Sequence, residues 1–151
     1  MDPEFTTKVQ VKLLDTNNPS LPPLVLQITH MVDTYMLWIG TADSNTNTGN
    51  GEKAVLNGNL CKDWACAMPP RVSGAPSAAT SLFRSSSSDV ALPMAQRLAK
   101  RFQKQIFLSV DIPVDFTSMG QGHRLVFEAE KGIVTTLKEI ETQEKVGKTQ
   151  E

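Results

Sequence analysis

Two cysteines and two histidines are the residues best suited to hold a metal ion. Cys61 and Cys66 are separated by four residues, and His30 and His123 could in principle complete a four-ligand zinc site. A structural zinc site normally shows two closely spaced ligand pairs, whereas this sequence contains one loose pair. The pattern therefore favours two reduced, partly buried thiols, and we expect neither a metal ion nor another cofactor.

The other candidates for catalytic chemistry are weak. Asp111 and Asp115 could form a carboxylate pair for acid–base catalysis, but Pro113 between them favours solvated turn residues. A catalytic thiolate would need a neighbouring base, and the sequence alone does not place either histidine beside a cysteine. The sequence has no nucleophile elbow, no phosphate-binding Gly-Lys-Ser/Thr loop and no dinucleotide fingerprint. We therefore expect a protein that is not an enzyme.

A predicted helix that begins near Pro93 carries the clearest charge pattern. Its apolar stripe should face inward, which leaves its cations on the outer surface. This set is Arg97, Lys100, Arg101 and Lys104. Such a face could bind phosphate or an acidic protein surface, or it could be a solvated helix exterior. We take these four residues as the candidate protein-binding site.

The composition excludes several classes of function. Hydrophobic residues make up 40% of the 151 residues and charged residues 21%, which is typical of one globular domain. Lys and Arg total 15 against 16 Asp and Glu, and this balance argues against nucleic acid or an anionic membrane as partner. No apolar run approaches the ~20 residues that span a bilayer, and no secretory leader is visible. The expectation is a soluble intracellular protein.

The elements that must position these residues follow from hydrophobic periodicity. Alternation of apolar and polar residues predicts strands at 8–13, 24–29, 34–40, 63–68, 81–83, 106–110 and 123–129. Helices are predicted from Pro93 to about Gln105, capped by Ser88 or Asp89, and from about Glu130 to Gly147. The short join between the second and third strands predicts a hairpin. The fold class is therefore α+β, with an antiparallel sheet or sandwich of about six strands packed with two main helices.

The domain boundaries follow from changes in composition. Residues 1–5 read as a cloning remnant, because Glu-Phe is what an EcoRI site encodes in frame. Residues 6–146 are predicted to form one domain, and residues 147–151 a polar tail. Within the domain, the polar segment 41–60 and the Pro- and Ser-rich segment 69–88 are predicted to be flexible loops.

Several segments, in a fixed order, carry a family resemblance. They are YMLWIG at 35–40, ATSLF at 79–83, and AQRLAKR at 95–101 followed by KQIFLS at 104–109. In this order they resemble the proteasome assembly chaperone 4 family. The sequence departs from the family pattern in its long polar insertion, 41–60.

The resemblance implies a non-enzymatic chaperone that forms a heterodimer with a homologous partner, proteasome assembly chaperone 3. The heterodimer would bind an alpha-type subunit during assembly of the 20S proteasome alpha ring. The resemblance also implies an antiparallel sheet packed with helices and a location in the cytoplasm that extends to the nucleus. The alternatives are a small α+β adaptor or scaffold module in trafficking or signalling, and an enzyme whose site no motif reveals.

The second face of strand 34–40 predicts a contact surface. Met36 and Trp38 add apolar surface beyond what the helices of one domain can cover. We therefore expect a dimer, formed preferentially with the homologous chaperone. The polar insertion should add little stability, so a short linker in place of residues 44–53 is expected to leave the fold intact.

Overall fold

The secondary structure comes from a computed structural model, which describes residues 7–43, 50–86, 88–113, 115–116 and 119–149. The strands are β1 (Lys8–Leu14), β2 (Leu24–Met31), β3 (Thr34–Thr41), β4 (Asp63–Ala67), β5 (Ala79–Arg84) and β6 (Gln105–Asp111). The main helices within these ranges are α1 (Asn50–Leu56), α2 (Ala91–Phe102) and α3 (Gly122–Thr149). The predicted cloning remnant, residues 1–5, lies outside the described residues.

The strands form one sheet in the order β1-β2-β3-β6-β4-β5. The predicted α+β class, with about six strands and two main helices, is confirmed, as are the β2–β3 hairpin and the central position of β3. One pairing differs from the expected antiparallel sheet, because β3 and β6 run parallel, with Leu37 opposite Leu108. Parallel neighbours need a crossover connection, and the chain between β3 and β6 passes through β4, β5 and α2 before it returns.

Alternate residues of the strands pack against α2 and α3 and form the main core. We call this side of the sheet the covered face. Its buried strand residues are Leu24, Leu26, Ile28, Tyr35, Leu37, Ile39, Ala65, Ala67, Ile106, Leu108 and Val110. From α2, the predicted apolar stripe is buried against them: Ala91, Met94, Ala95, Leu98, Ala99 and Phe102. Fully burying one large apolar side chain stabilises a fold by about 1.5–3 kcal/mol, so this face accounts for most of the hydrophobic stabilisation.

The start of α2 is held by a residue distant in sequence. The N-cap residue, Val90, makes no side-chain cap hydrogen bond. Instead, the backbone N–H groups of Val90 and Ala91 donate to Oδ2 of Asp63 on β4, at 2.8 and 3.1 Å. The Ser88 hydroxyl donates to the same oxygen at 2.7 Å. The prediction of a cap from Ser88 or Asp89 is therefore wrong, because a buried carboxylate on the neighbouring strand occupies that role.

Residues 123–129, predicted as a strand, are the first turns of α3. The alternation of Leu125 and Phe127 is coincidental, since Phe127 is 64% exposed. The buried residues are instead spaced four residues apart. They are Leu125, Ala129 and Ile133, and all three are fully buried. Such a spacing places side chains on one side of a helix, so α3 runs for 28 residues.

Three further boundary predictions change. The segment 41–60 contains α1 and is therefore not a continuous loop. The segment 69–88 contains β5, which confirms the short edge strand expected at 81–83. Residues 147–149 of the expected polar tail continue α3.

Candidate protein interface on the sheet

The side of the sheet opposite α2 and α3 is only partly covered. The strand registers align its side chains in two rows that each cross all six strands, and we call the two rows together the open face. The first row is Val9, Thr29, Met36, Phe107, Cys66 and Thr80, and the second row is Val11, Gln27, Trp38, Ser109, Trp64 and Phe83. None of the twelve residues is Asp, Glu, Lys or Arg.

The open face is unusually apolar for a surface that water can reach. Val9 is 55% exposed and Phe83 47% exposed, while Met36, Phe107 and Trp64 are partly buried. An antiparallel sheet with one solvated face normally alternates apolar-in with polar-out. Contiguous exposed apolar surface on a folded protein is typical of a protein interface. The open face is therefore the candidate functional site.

Trp64 adds a polar feature to this surface. Its indole N–H is buried and has no hydrogen-bond partner among the described residues. Most buried polar groups in folded proteins are hydrogen-bonded. Because this nitrogen is already inaccessible to solvent within the domain, it does not indicate which surface a partner covers.

Residues from the insertion cover one end of the open face. Ala54 and Val55 of α1, together with Leu60, pack against a small second core of Val25, Trp38 and Ala42. The described residues of the insertion thus help to bury Trp38 to 8% exposure. Ala54, Val55 and Leu60 lie outside residues 44–53, so the expectation that a linker can replace those residues stays a prediction.

The chain that follows α1, residues 57–62, is tied to β6, and we call it the return segment. The backbone N–H of Asn59 donates to Oδ2 of Asp111 at 2.7 Å, and the Ser109 hydroxyl donates to the Leu60 carbonyl at 2.8 Å. Lys62 Nζ lies 3.4 Å from Oδ1 of Asp111. Asp111, considered above as a catalytic carboxylate or a solvated turn residue, is therefore a structural acceptor at the end of β6.

The Trp38 indole occupies a narrow slot between two glycines. A Cβ added to Gly58 would lie 2.3 Å from the ring, and a Cβ added to Gly40 would lie 2.5 Å from it. Neither distance is compatible with ordinary van der Waals contact, so the ring can approach the backbone this closely only because both positions lack a side chain.

The four cations of the predicted site lie on the other side of the molecule, on and just after α2. Arg97 makes a bidentate pair with Glu130 of α3, with both N···O distances at 2.8 Å, and this hydrogen-bonded carboxylate raises the pKa of the guanidinium. The Lys104 ammonium lies 5.3 Å from the centre of the Tyr35 ring. Lys100 and Arg101 are exposed. Two of the four cations thus contact the domain itself.

The two cysteines and two histidines considered as metal ligands lie in different environments. Cys61 is exposed, and Cys66 is partly buried on the open face, where Gln105 Nε2 donates to its Sγ at 3.4 Å. The His30 ring packs edge-on to Tyr35, and burial lowers the pKa of this imidazole. His123 is exposed near the start of α3. Within the described ranges, no group of three His, Cys, Asp or Glu side chains could hold a metal ion.

Sequence reasoning identified part of the open face and missed the rest. Met36 and Trp38 stood out because β3 is apolar on both sides. Phe107, Trp64 and Phe83 did not, although each is the outward residue of its own strand. The sequence does contain a signal, namely an apolar residue at the outward position of several neighbouring strands. This signal can be recognised only once the strand order and register are known.

None of the described helices combines the length and the apolar character needed to cross a bilayer.

Comparison with known proteins places the fold and the family. No curated protein sequence matches the chain significantly. One solved structure, described as a novel chaperone complex for yeast 20S proteasome assembly, contains a chain that superposes with a TM-score of 0.59. The two chains are 15% identical, and the alignment covers 87% of this chain and 95% of that one. At this identity the likeness shows a shared fold.

The family model of proteasome assembly chaperone 4 matches residues 23–112. The matched residues run from β2 through β6 and make up more than half of the chain. The resemblance seen in the segments at 35–40 and 79–109 is thereby confirmed, and the chain belongs to the proteasome assembly chaperone 4 family.

Proposed function

We propose that the chain is a non-enzymatic chaperone that forms a heterodimer with proteasome assembly chaperone 3 through the open face. In this proposal the pair binds an alpha-type subunit during assembly of the 20S proteasome alpha ring, in the cytoplasm and the nucleus. The observation that carries the proposal is the pair of uncharged rows that cross all six strands. Family membership and the likeness to a chain of a yeast assembly-chaperone complex support it.

A homologous partner is the occupant that suits this surface. Two sheets that pack face to face bury apolar side chains from both, at a separation of about 10 Å. A partner with the same fold would present an equivalent sheet face. Because the open face contains no charged side chain, stacking would not require burying an unpaired charge, which is costly.

The proposed contact with the alpha-type subunit uses a different surface. Lys100 and Arg101 are exposed on α2, on the far side of the sheet from the open face. Exposed cations of this kind increase the rate of encounter with an acidic protein surface and help to select the partner. Arg97 and Lys104 are weaker candidates, since each already contacts a side chain of its own domain.

The proposal requires no cofactor and no bond-making step. A protein that binds one state of an assembly intermediate stabilises that state through binding free energy alone. A later subunit that covers the same surface would then release the chaperone.

The test is reconstitution from purified proteins. The chain and the homologous chaperone are mixed with each alpha-type subunit in turn, and complexes are separated by size-exclusion chromatography. We expect a stable chaperone pair that retains one alpha-type subunit more strongly than either chaperone alone. Two folded chaperones that elute separately at micromolar concentration, with no alpha-type subunit retained, would contradict the proposal.

A further inference from the structure

A groove opens on the open face beside Trp38. Its volume is about 200 Å³, and it lies between the sheet on one side and α1 with the return segment on the other. Its lining includes Thr29, Met36, Trp38, Val55, Gly58 and Leu60. Among the residues that the structure describes, no Asp, Glu, Lys or Arg lines it.

We infer that this groove receives one uncharged apolar side chain from the partner chaperone and is the main anchor of the heterodimer. The inference rests on the proposed heterodimer and adds to it a single point of recognition. Binding energy at protein interfaces is usually concentrated in a few such pockets, where a bulky side chain of one partner fills a hollow in the other.

The size of the groove suits a side chain better than a metabolite. Sites for small molecules usually enclose about 300–1,000 Å³, and this groove is smaller. Its chemistry is equally restrictive, because a charged occupant would lose its hydration and gain no partner charge.

The walls of the groove combine a rigid side with an adaptable one. The rigid side is Trp38, whose ring packs closely against Gly40 and Gly58 and is only 8% exposed. Met36 lies beside it, and an unbranched thioether can adjust to the shape of an incoming side chain. A preformed groove of this kind reduces the ordering cost of binding.

The groove is continuous with the proposed interface. Thr29 and Met36 belong to the first row and Trp38 to the second. A partner seated on the open face would therefore reach the groove without any further contact surface.

A neighbouring cleft of about 310 Å³ provides a contrast within the same region. It shares Trp38 and Gly58 but is also lined by Asp43, Lys53 and Asp111. Charged side chains in this cleft would oppose an apolar occupant, so the groove and not the cleft is assigned to the partner.

The test fills the groove and compares a filled position with a position outside the open face. Thr29→Phe adds an aromatic ring in the groove, whereas the control Val146→Phe adds a ring at an exposed position near the end of α3. Val55→Phe fills the groove from α1. Affinity for the homologous chaperone is measured by titration calorimetry, and the Tm of each variant is measured alone.

We expect Thr29→Phe and Val55→Phe each to weaken the heterodimer at least tenfold, and Val146→Phe to change its affinity less than threefold. Wild-type affinity in both filling variants would overturn the anchor while leaving the heterodimer in place. Loss of folding in both would also overturn it, because a preformed groove must admit the added ring. If the wild-type chain shows no binding, the proposed heterodimer itself is wrong.

Discussion

The two faces of the sheet differ sharply although the same strands form both. On the covered face, Leu26, Leu37 and Leu108 are completely buried beneath the helices. On the open face, Met36 and Phe107, which precede Leu37 and Leu108 on the same strands, are only partly buried, and Val9 and Phe83 at its edges are exposed. The comparison teaches that apolar composition alone does not distinguish core from interface. The distinction depends on whether the domain supplies its own cover.

Stability should depend mainly on the covered face. Leu108→Ala removes a fully buried side chain from β6, and such truncations cost about 2–5 kcal/mol of unfolding free energy. The matched variant is Phe107→Ala, at the next residue of the same strand, where the side chain is only partly buried on the open face. Urea denaturation of both variants measures the difference. An equal loss in the two would show that the faces are not energetically distinct.

Replacing Asp63, the buried carboxylate that caps α2, should cause the next largest loss of stability. Asp63→Ala removes the acceptor for three hydrogen bonds at the start of α2. Loss of a helix cap and of buried hydrogen bonds costs about 1–3 kcal/mol. Asp63→Asn is the control, since its amide oxygen can still accept. Thermal melts should rank wild type above Asn and Asn above Ala, and an Ala variant as stable as wild type would contradict the remote cap.

The close packing around Trp38, where α1 and the return segment cover the open face, should also contribute to stability. Gly58→Ala forces a Cβ into contact with the indole, and overpacking of this kind costs about 1–3 kcal/mol. Gly147→Ala is the control, because an added Cβ there meets nothing within 4 Å, and it should stabilise α3 by up to about 1 kcal/mol. Chemical denaturation compares the two variants. Destabilisation of equal size in both would remove the glycine slot as an explanation.

Features determined by residues close in sequence could be predicted from the sequence, whereas those that depend on distant residues could not. The β2–β3 hairpin and the α2 stripe were predictable, because residues within one or two turns of each other determine them. The parallel β3–β6 pairing was not, since it depends on a crossover of more than sixty residues. α1 was missed because only two of its apolar residues, Ala54 and Val55, pack, and they do so against residues distant in sequence, whereas Leu56 is exposed.

The candidate site shows the same limit. Arg97 was predicted to be an outer cation, and it is, but its pairing with Glu130 joins residues of two helices that no local pattern links. The rows of the open face likewise exist only after six separate strands have been placed in register. The residues of β3 alone predicted that its second face is apolar. They did not predict how many other strands extend that apolar surface.

The smallest effect on stability is expected at the exposed cations of α2. Lys100→Glu combined with Arg101→Glu should change the unfolding free energy by less than about 0.5 kcal/mol. The same variant should capture the alpha-type subunit less well, and the loss should shrink at high salt because ions screen exposed charges. A pull-down with the chaperone pair at low and high salt is the measurement. Equal capture by variant and wild type would identify this surface as a solvated helix exterior.

The most direct test of the open face as an interface uses two phenylalanines. Phe107→Asp places a charge in the middle of the first row, whereas Phe127→Asp places the same charge on the exposed side of α3. Each variant is mixed with the homologous chaperone, and the mass of the complex is measured by light scattering. We predict a heterodimer mass for wild type and Phe127→Asp, and separate monomer masses for a folded Phe107→Asp. A heterodimer of unchanged affinity in Phe107→Asp would contradict the assignment of the open face.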